Sequence, residues 1–225
     1  MCFFNAQNKR ALELAKRYGR RSDIVEMARE IIEEQKVHKA FLHPDCIIVT
    51  SNEQLQTAQW GMIPFWVREA AQAESIRKLT ANAKSETVFT LSSFRIAIKK
   101  HRCLIPSTGF YEYHHEGKEA IPYQIHLRDR DIFSLAGIYD DWRHPKTKEI
   151  VKTFSVLTVP ANELCKHIHN GGRNAGRMPA ILSIEDENRW LDPDLKEEEI
   201  KCLLKAYESS LMDAHVMEKD FLRSA

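Results

Sequence analysis

The sequence predicts a single α+β domain with a mainly antiparallel β-sheet or barrel core flanked by helices. Three observations predict it. From Cys46 onwards, short runs rich in β-branched and aromatic residues follow one another, separated by turn residues. Apolar residues recur at helical spacing near both ends of the chain. No internal repeat, low-complexity tract or Pro/Gly/Ser linker divides the 225 residues, a length that suits one core.

In chain order, Ala11, Leu12, Leu14 and Ala15 predict a helix over 7–18, with Gly19 as its terminator. A second helix is expected from an N-cap at Ser22 or Asp23 through Ile24, Met27, Ala28, Ile31 and Ile32. Strands are expected at 46–50, 102–106, 110–114, 123–128, 132–137 and 153–159. Between the first two, Val88, Leu91, Phe94 and Ile98 predict a helix over 88–99. Pro160 fits the first turn of a short helix reaching His167, and a last helix is expected over 197–207.

Composition narrows the class. Hydrophobic residues make up 43% and charged residues 29%, the balance of a globular chain rather than a disordered or fibrous one. No apolar run approaches the ~18 residues that span a bilayer. Met1-Cys2-Phe3-Phe4-Asn5 lacks the basic segment, apolar stretch and small-residue site of a secretory signal. A cytoplasmic chain with no membrane partner is expected. The formal net charge is +1, but residues 185–225 hold six Lys/Arg against twelve Asp/Glu, which leaves 27 against 20 in the rest. That bias is compatible with a polyanionic partner and equally with a solvated surface. The five cysteines are odd in number and never spaced C-x-x-C, so neither a disulfide framework nor a metal site is indicated, and no cofactor is expected. Cys46, Cys103, Cys165 and Cys202 read as small buried hydrophobes. Cys2 stands apart, because only Met1 precedes it.

Once Met1 is removed, Cys2 carries an α-amine of pKa roughly 7.7–8.0 beside a thiol of about 8.5, each partly nucleophilic at neutral pH. Such a 1,2-aminothiol converts an aldehyde first to an imine and then, by thiolate closure, to a five-membered thiazolidine. The plain alternative is one more residue of a buried N-terminal strand. In 109–113, strand alternation puts Phe110 and Glu112 on one face and Tyr111 and Tyr113 on the other. Desolvation beside the aromatic would raise the Glu112 pKa towards the range of proton transfer; the alternative is a solvent-facing Glu on an edge strand. In 165–179, His167 and His169 stand near a glycine-rich turn with Arg173 and Arg177, which suits proton transfer beside a phosphate, or else surface histidines. Asn82 and Lys84 supply an amide and a cation ahead of the helix expected over 88–99, or simply cap it. Trp60 and Trp66 bracket a Gly…Pro turn, as base-stacking surface or as core.

Taken in order, Met1-Cys2, then 60–66 (WGMIPFW), 82–87 (NAKSET), 102–113 (RCLIPSTGFYEY), and His169 with Arg177-Met178-Pro179 resemble the SOS-response-associated peptidase (SRAP) family. That family pattern is Met-Cys at the N-terminus, W-G-L-I-P-x-W, N-A-R-x-E-T, R-C-L-[IV]-P-x-x-G-[FY]-[YF]-E-W, and a His shortly before R-M-P. The resemblance covers roughly residues 1–192, within a single domain expected over 1–225, and leaves 193–225 as a C-terminal helical extension. It implies covalent capture of abasic sites in single-stranded DNA through a thiazolidine on Cys2; a monomer without metal is expected. It also implies autopeptidase activity that exposes Cys2, and lyase character. Carried over by motif, Cys2 is the nucleophile, Asn82 holds the sugar or the reacting N-terminus, Glu112 is the general acid/base and His169 assists ring opening. Lys84, Arg173 and Arg177 are implied to meet phosphates, with Trp66 a stacking surface.

The chain departs from the pattern in several places. Phe3-Phe4 replaces Gly-Arg after Met-Cys, Lys84 replaces an Arg and with it the bidentate fork, and Tyr113 replaces a Trp. Seven residues, 170–176, separate His169 from Arg177 where the family commonly has one. Two other classes stay open on the residues alone: an N-terminal cysteine hydrolase using Cys2, Glu112 and His169, and a non-catalytic module for single-stranded nucleic acid.

Overall fold

The computed structural model describes residues 2–22 and 37–224; the helix expected from Ser22 or Asp23 falls largely outside them. The first helix, Ala11–Tyr18, buries Ala11, Leu14, Ala15 and Tyr18 and stops at Gly19, whose φ of 60° is the left-handed C-terminal conformation glycine adopts without strain. Leu12 of the expected apolar repeat faces outward instead.

Two mostly antiparallel sheets carry the fold. The first is built from β1 (Phe4–Ala6), β2 (His38–Lys39), β7 (Gly109–Glu116), β8 (Glu119–Leu127) and β13 (Met212–Val216), in the order β13-β8-β7-β1-β2. The second contains β3 (Asp45–Ile48), β4 (Gln56–Trp60), β9 (Phe133–Arg143), β10 (Ile150–Pro160) and β12 (Ile181–Leu182), in the order β12-β9-β10-β4-β3. β6 (Arg102–Ser107) pairs with β9, while β5 (Asn82–Lys84) and β11 (Arg177–Pro179) pair with β10. The strands close no barrel, although backbone hydrogen bonds of 2.9 and 2.8 Å between Val49 and Leu104 tie the end of β3 to β6. The α+β sheet core is thus as expected, and all six expected strands are present.

β10 organises the second sheet. It runs parallel to β4 and β5, with Phe154 opposite Trp60 and Val156 opposite Asn82, and antiparallel to β9 and β11. One apolar core spans both sheets and includes Cys2, Phe110 and Ile125 from the first and Trp60, Phe133, Phe154 and Leu157 from the second. Trp60 stacks on Phe154 at 5.8 Å and donates its indole N–H to Ala81 O at 2.8 Å. Truncating such a buried aromatic to alanine costs ~3–5 kcal/mol.

Four expectations are corrected. Residues 88–99 form successive turns that become a helix only at Ala97–Lys100. Their hydroxyl residues compete for backbone partners, as when Thr90 Oγ1 donates to Thr87 O at 3.0 Å, yet Val88, Phe94 and Ile98 are buried as the spacing required. Pro160 ends β10 instead of opening a helix. The helix Glu163–Ile168 is capped by Asn162, whose side-chain oxygen accepts from Cys165 N at 2.9 Å. The C-terminal part is not simply helical: after the helix Glu197–Leu203, β13 joins the edge of the first sheet beside β8. Cys202 is exposed, since that helix turns Ile200 and Leu203 inward and leaves it outside.

Candidate active site

Strand alternation along β7 builds the floor of the site. Phe110 and Glu112 point into the main core, whereas Tyr111 and Tyr113 join a separate cluster on the outer face with Ala6 and Val37. Glu112 is 7% exposed, and burial pushes its carboxyl up from 4.5 to about 7. β1 lies directly against β7, with Phe4 opposite Tyr111 and Asn5 opposite Phe110. Cys2, just before β1, is fully buried, and its thiol donates to Phe4 O at 3.6 Å. Burial holds that thiol well above its ordinary range, and the negative charge of Glu112 adds to the effect.

His169 closes the floor from the other side. It ends the helix Glu163–Ile168, and its Nδ1 lies 2.9 Å from Arg177 O. A carbonyl only accepts, so Nδ1 carries the proton, and Nε2, 3.9 Å from Glu112 Oε2, is the basic nitrogen. Burial lowers the His169 pKa and favours this neutral form, while the hydrogen bond to Arg177 O opposes the shift. His167, by contrast, is exposed and stacks on His114 with ring centroids 4.8 Å apart. His169 is therefore the histidine that meets the carboxylate.

A cavity of about 290 Å³ opens above Glu112 and His169, walled by Phe3, Tyr113, His115 and Arg173. The segment 170–176 forms its rim. Asn170 exchanges two hydrogen bonds with the His115 backbone, at 2.8 and 2.9 Å, and Gly171 sits so close to the His115 ring that an added Cβ would lie 2.3 Å from it. Gly176 N donates to His169 O at 2.8 Å, so the segment loops out and returns without displacing His169 from Arg177.

The remaining site candidates lie along β10 and the turns beyond it. Arg177 is buried and forks onto Glu86 at 2.7 and 2.9 Å, while also donating to Thr158 Oγ1 and O at 3.2 and 2.7 Å. That pairing pulls the Glu86 carboxyl down to about 2. Asn82 lies on β5, a strand where a helix start was the alternative reading. Its amide is buried, and among the described residues neither its Oδ1 nor its Nδ2 has a hydrogen-bond partner. Such an amide is a ligand candidate, because an unmatched buried polar group is costly. Lys84 is exposed two residues on, opposite Thr158. The two tryptophans part company. Trp60 belongs to the core, and half-buried Trp66 packs on Ile63, Val67, Ala73 and Trp142 and donates to Ser92 O at 3.4 Å. The structure thus brings Cys2, Glu112, His169 and Arg173 together; Lys84 is exposed at the end of β5, and Trp66 lies beside the turn at Ser92.

The profile of the SOS response associated peptidase (SRAP) family matches residues 1–222. The chain belongs to the SRAP family. Among SRAP relatives, the abasic site processing protein YoqW of Bacillus subtilis (strain 168) is 34% identical over 167 residues, covering 73% of this chain and 70% of that protein. The abasic site processing protein HMCES of Gallus gallus is 31% identical over 163 residues, 64% of this chain and 46% of its own length. A crystal structure of a protein from Bacteroides thetaiotaomicron superposes with a TM-score of 0.96 at 46% identity, covering 100% of this chain and 95% of that one.

Not every motif residue of this SRAP chain sits in the cavity. Arg102 donates to Ile98, Lys99 and Trp190 carbonyls at 2.8, 2.9 and 2.8 Å, and also to Asp192 O, which makes it a clamp between helix ends. His115 and Phe3 escaped the sequence reading, although both wall the cavity. Phe3 carried a signal, its place beside Cys2; His115 did not, because strand alternation from Glu112 points to 114. Among the described residues, no group of three or more His, Cys, Asp or Glu side chains is placed to hold a metal ion, and no helix is long and apolar enough to cross a membrane.

Proposed function

We propose that this protein processes abasic sites in single-stranded DNA by capturing them covalently on Cys2. The observation that carries the reading is a buried Cys2 within electrostatic reach of Glu112, whose carboxyl, raised to about 7, lines one cavity together with a neutral His169. The SRAP membership and the printed names of the relatives support it.

With Met1 removed, by the autopeptidase activity the family name carries or otherwise, the Cys2 amine attacks the C1′ aldehyde of the ring-opened sugar. The resulting carbinolamine loses water, which takes its proton from Glu112, a group about half protonated near neutral pH. The iminium cation then lies beside the Cys2 thiol and lowers its pKa. The thiol proton passes to the Glu112 carboxylate, sulfur adds to the imine carbon, and the thiazolidine closes. Protein and DNA become one molecule with the loss of one water. Ring closure consumes the imine that would otherwise drive strand cleavage by β-elimination; reopening to that imine makes the elimination available again, which is the lyase character. Nε2 of His169 is the base that takes the C1′ hydroxyl proton of the hemiacetal as the C1′–O4′ bond breaks, and the imidazolium so formed returns a proton to O4′. Asn82 offers its unmatched amide to sugar or amine. Arg173 and Lys84 meet phosphates, Arg177 does so when a phosphate displaces Glu86, and Trp66 stacks a base.

The raised Cys2 thiol favours this amine-led order over a cysteine hydrolase, which needs a depressed thiol pKa. The test is intact mass spectrometry of protein confirmed to begin at Cys2, incubated with an oligonucleotide holding one abasic site. A gain of the oligonucleotide mass less one water is expected. No such species sinks the reading, and turnover of small acyl substrates would replace it with the hydrolase.

A further inference from the structure

Outside the cavity, an aromatic row leads away from its mouth along the outer face of the first sheet. Tyr113 forms part of the cavity wall. Phe4 meets Tyr113 edge-to-face at 6.2 Å and Phe41 edge-to-face at 5.7 Å. Phe41 is 58% exposed and its neighbour Leu42 67%. The row is held rigidly. Ala40 N donates to Phe3 O at 2.9 Å, which pins the 3₁₀ turn Ala40–Leu42 to the strand that leads from Cys2. The turn ends at His43, a non-glycine residue at φ 51°, whose Nδ1 is fixed 2.7 Å from Trp60 O. A left-handed histidine is uncommon, and the contacts that keep His43 so also hold the turn that presents Phe41 and Leu42. Lys39, opposite Phe4 in the β1–β2 register, places a cation beside the row.

The geometry points to Phe4 and Phe41 as a stacking platform for the unpaired bases that adjoin the captured abasic nucleotide. This rests on the proposed function and extends it to the substrate's neighbours. Three features select unpaired bases as the occupant. The row is continuous with the cavity through Tyr113, it is bordered by Lys39 for a phosphate, and it offers aromatic faces to which any base can stack without sequence preference. At residue 4 the family pattern has arginine, so this chain places an aromatic ring where that pattern has a cation. Its affinity should therefore depend more on flanking bases and less on salt.

The experiment measures reversible binding of two labelled single-stranded oligonucleotides. One carries a single tetrahydrofuran, an abasic analogue without an aldehyde, and the other carries three consecutive tetrahydrofurans, so the flanking bases are missing. The full-length protein should bind the first roughly 5- to 150-fold more tightly, the worth of one stacked base. Phe41→Ala should collapse that ratio towards one and Phe41→Trp should keep it. Phe4→Arg should lower the ratio and steepen the salt dependence by about 0.7 per phosphate gained. Equal affinity of the unaltered protein for both oligonucleotides overturns the inference, as does an undiminished ratio in Phe41→Ala. A dimer that Phe41→Ala converts to monomer overturns it too, assigning the face to a second copy. Failure of the unaltered protein to form any adduct with a true abasic oligonucleotide sinks the proposed function itself. Adduct formation with a base ratio of one sinks only the platform.

Discussion

Glu112 and Glu86 lie on either side of the His169–Arg177 link, and their environments drive them in opposite directions. Glu112 sits on a central strand, buried, facing a neutral imidazole nitrogen at 3.9 Å, and its carboxyl rises to about 7. Glu86 sits on a turn, half exposed, gripped by both ends of the Arg177 guanidinium, and its carboxyl falls to about 2. At Glu112 desolvation is the largest influence and makes a group that exchanges protons near neutrality; at Glu86 a bidentate cation is the largest and makes one that stays ionised. The same side chain is a candidate catalyst in one place and a clamp in the other.

The largest effect that tests this contrast is on chemistry. Cys2→Ala should abolish the adduct altogether. Glu112→Gln should slow its formation by ~10²–10⁴-fold, the usual share of general acid/base catalysis. In the unaltered protein the rate should decline as pH rises through about 7, and Glu112→Gln should lose that limb. A variant that keeps the full rate would reduce Glu112 to a packing residue.

Stability should follow next. The folded protein holds a proton at Glu112 that the unfolded chain releases at about 4.5, so folding is favoured fully below that pH and loses stability as pH climbs to about 7. The loss amounts to about 3 kcal/mol, from 1.36 kcal/mol per pKa unit over the rise from 4.5 to about 7. Urea midpoints at pH 5 and pH 8 should show it in the unaltered protein and not in Glu112→Gln. His169 works in the opposite sense: its lowered pKa costs stability as pH falls below the ordinary histidine range.

The smallest effect belongs to the clamp. Glu86→Gln should cost about 1 kcal/mol or less, because the carboxylate is half exposed and screened. By releasing the Arg177 fork it should raise single-stranded DNA affinity, roughly two- to fivefold, with a steeper salt dependence. Unchanged affinity would mean that Arg177 serves the fold alone.

How far these groups could be read in advance depended on the range of the contacts that define them. The two faces of β7 were legible because alternation is a local property, and the structure keeps Phe110 with Glu112 and Tyr111 with Tyr113 on opposite sides. The buried positions of 88–99 were legible for the same reason, but not their backbone, since spacing does not reveal that Thr87, Thr90, Ser92 and Ser93 favour turns. Asn82 was readable as chemistry and unreadable as a strand, for its partner Val156 lies on β10, far along the chain. The Arg177–Glu86 fork joins positions 91 apart in sequence, and motif order alone assigned the arginine to a phosphate. The rim segment 170–176 was legible as an insertion; its grip on His115 was not.

The position of β10 has a consequence for how the protein comes into being. Its parallel pairings with β4 and β5 must wait until residues 150–160 have been made, and non-local parallel strands assemble late. Cys2 is translated some 110 residues before Glu112 and earlier still than His169. At 5–20 residues per second, its thiol spends on the order of 10 s on the ribosome before the carboxylate exists. Until the sheets close over it, that thiol is an ordinary exposed cysteine, open to cellular oxidants and aldehydes. Folding late therefore makes the newborn chain, rather than the finished one, the form most easily poisoned.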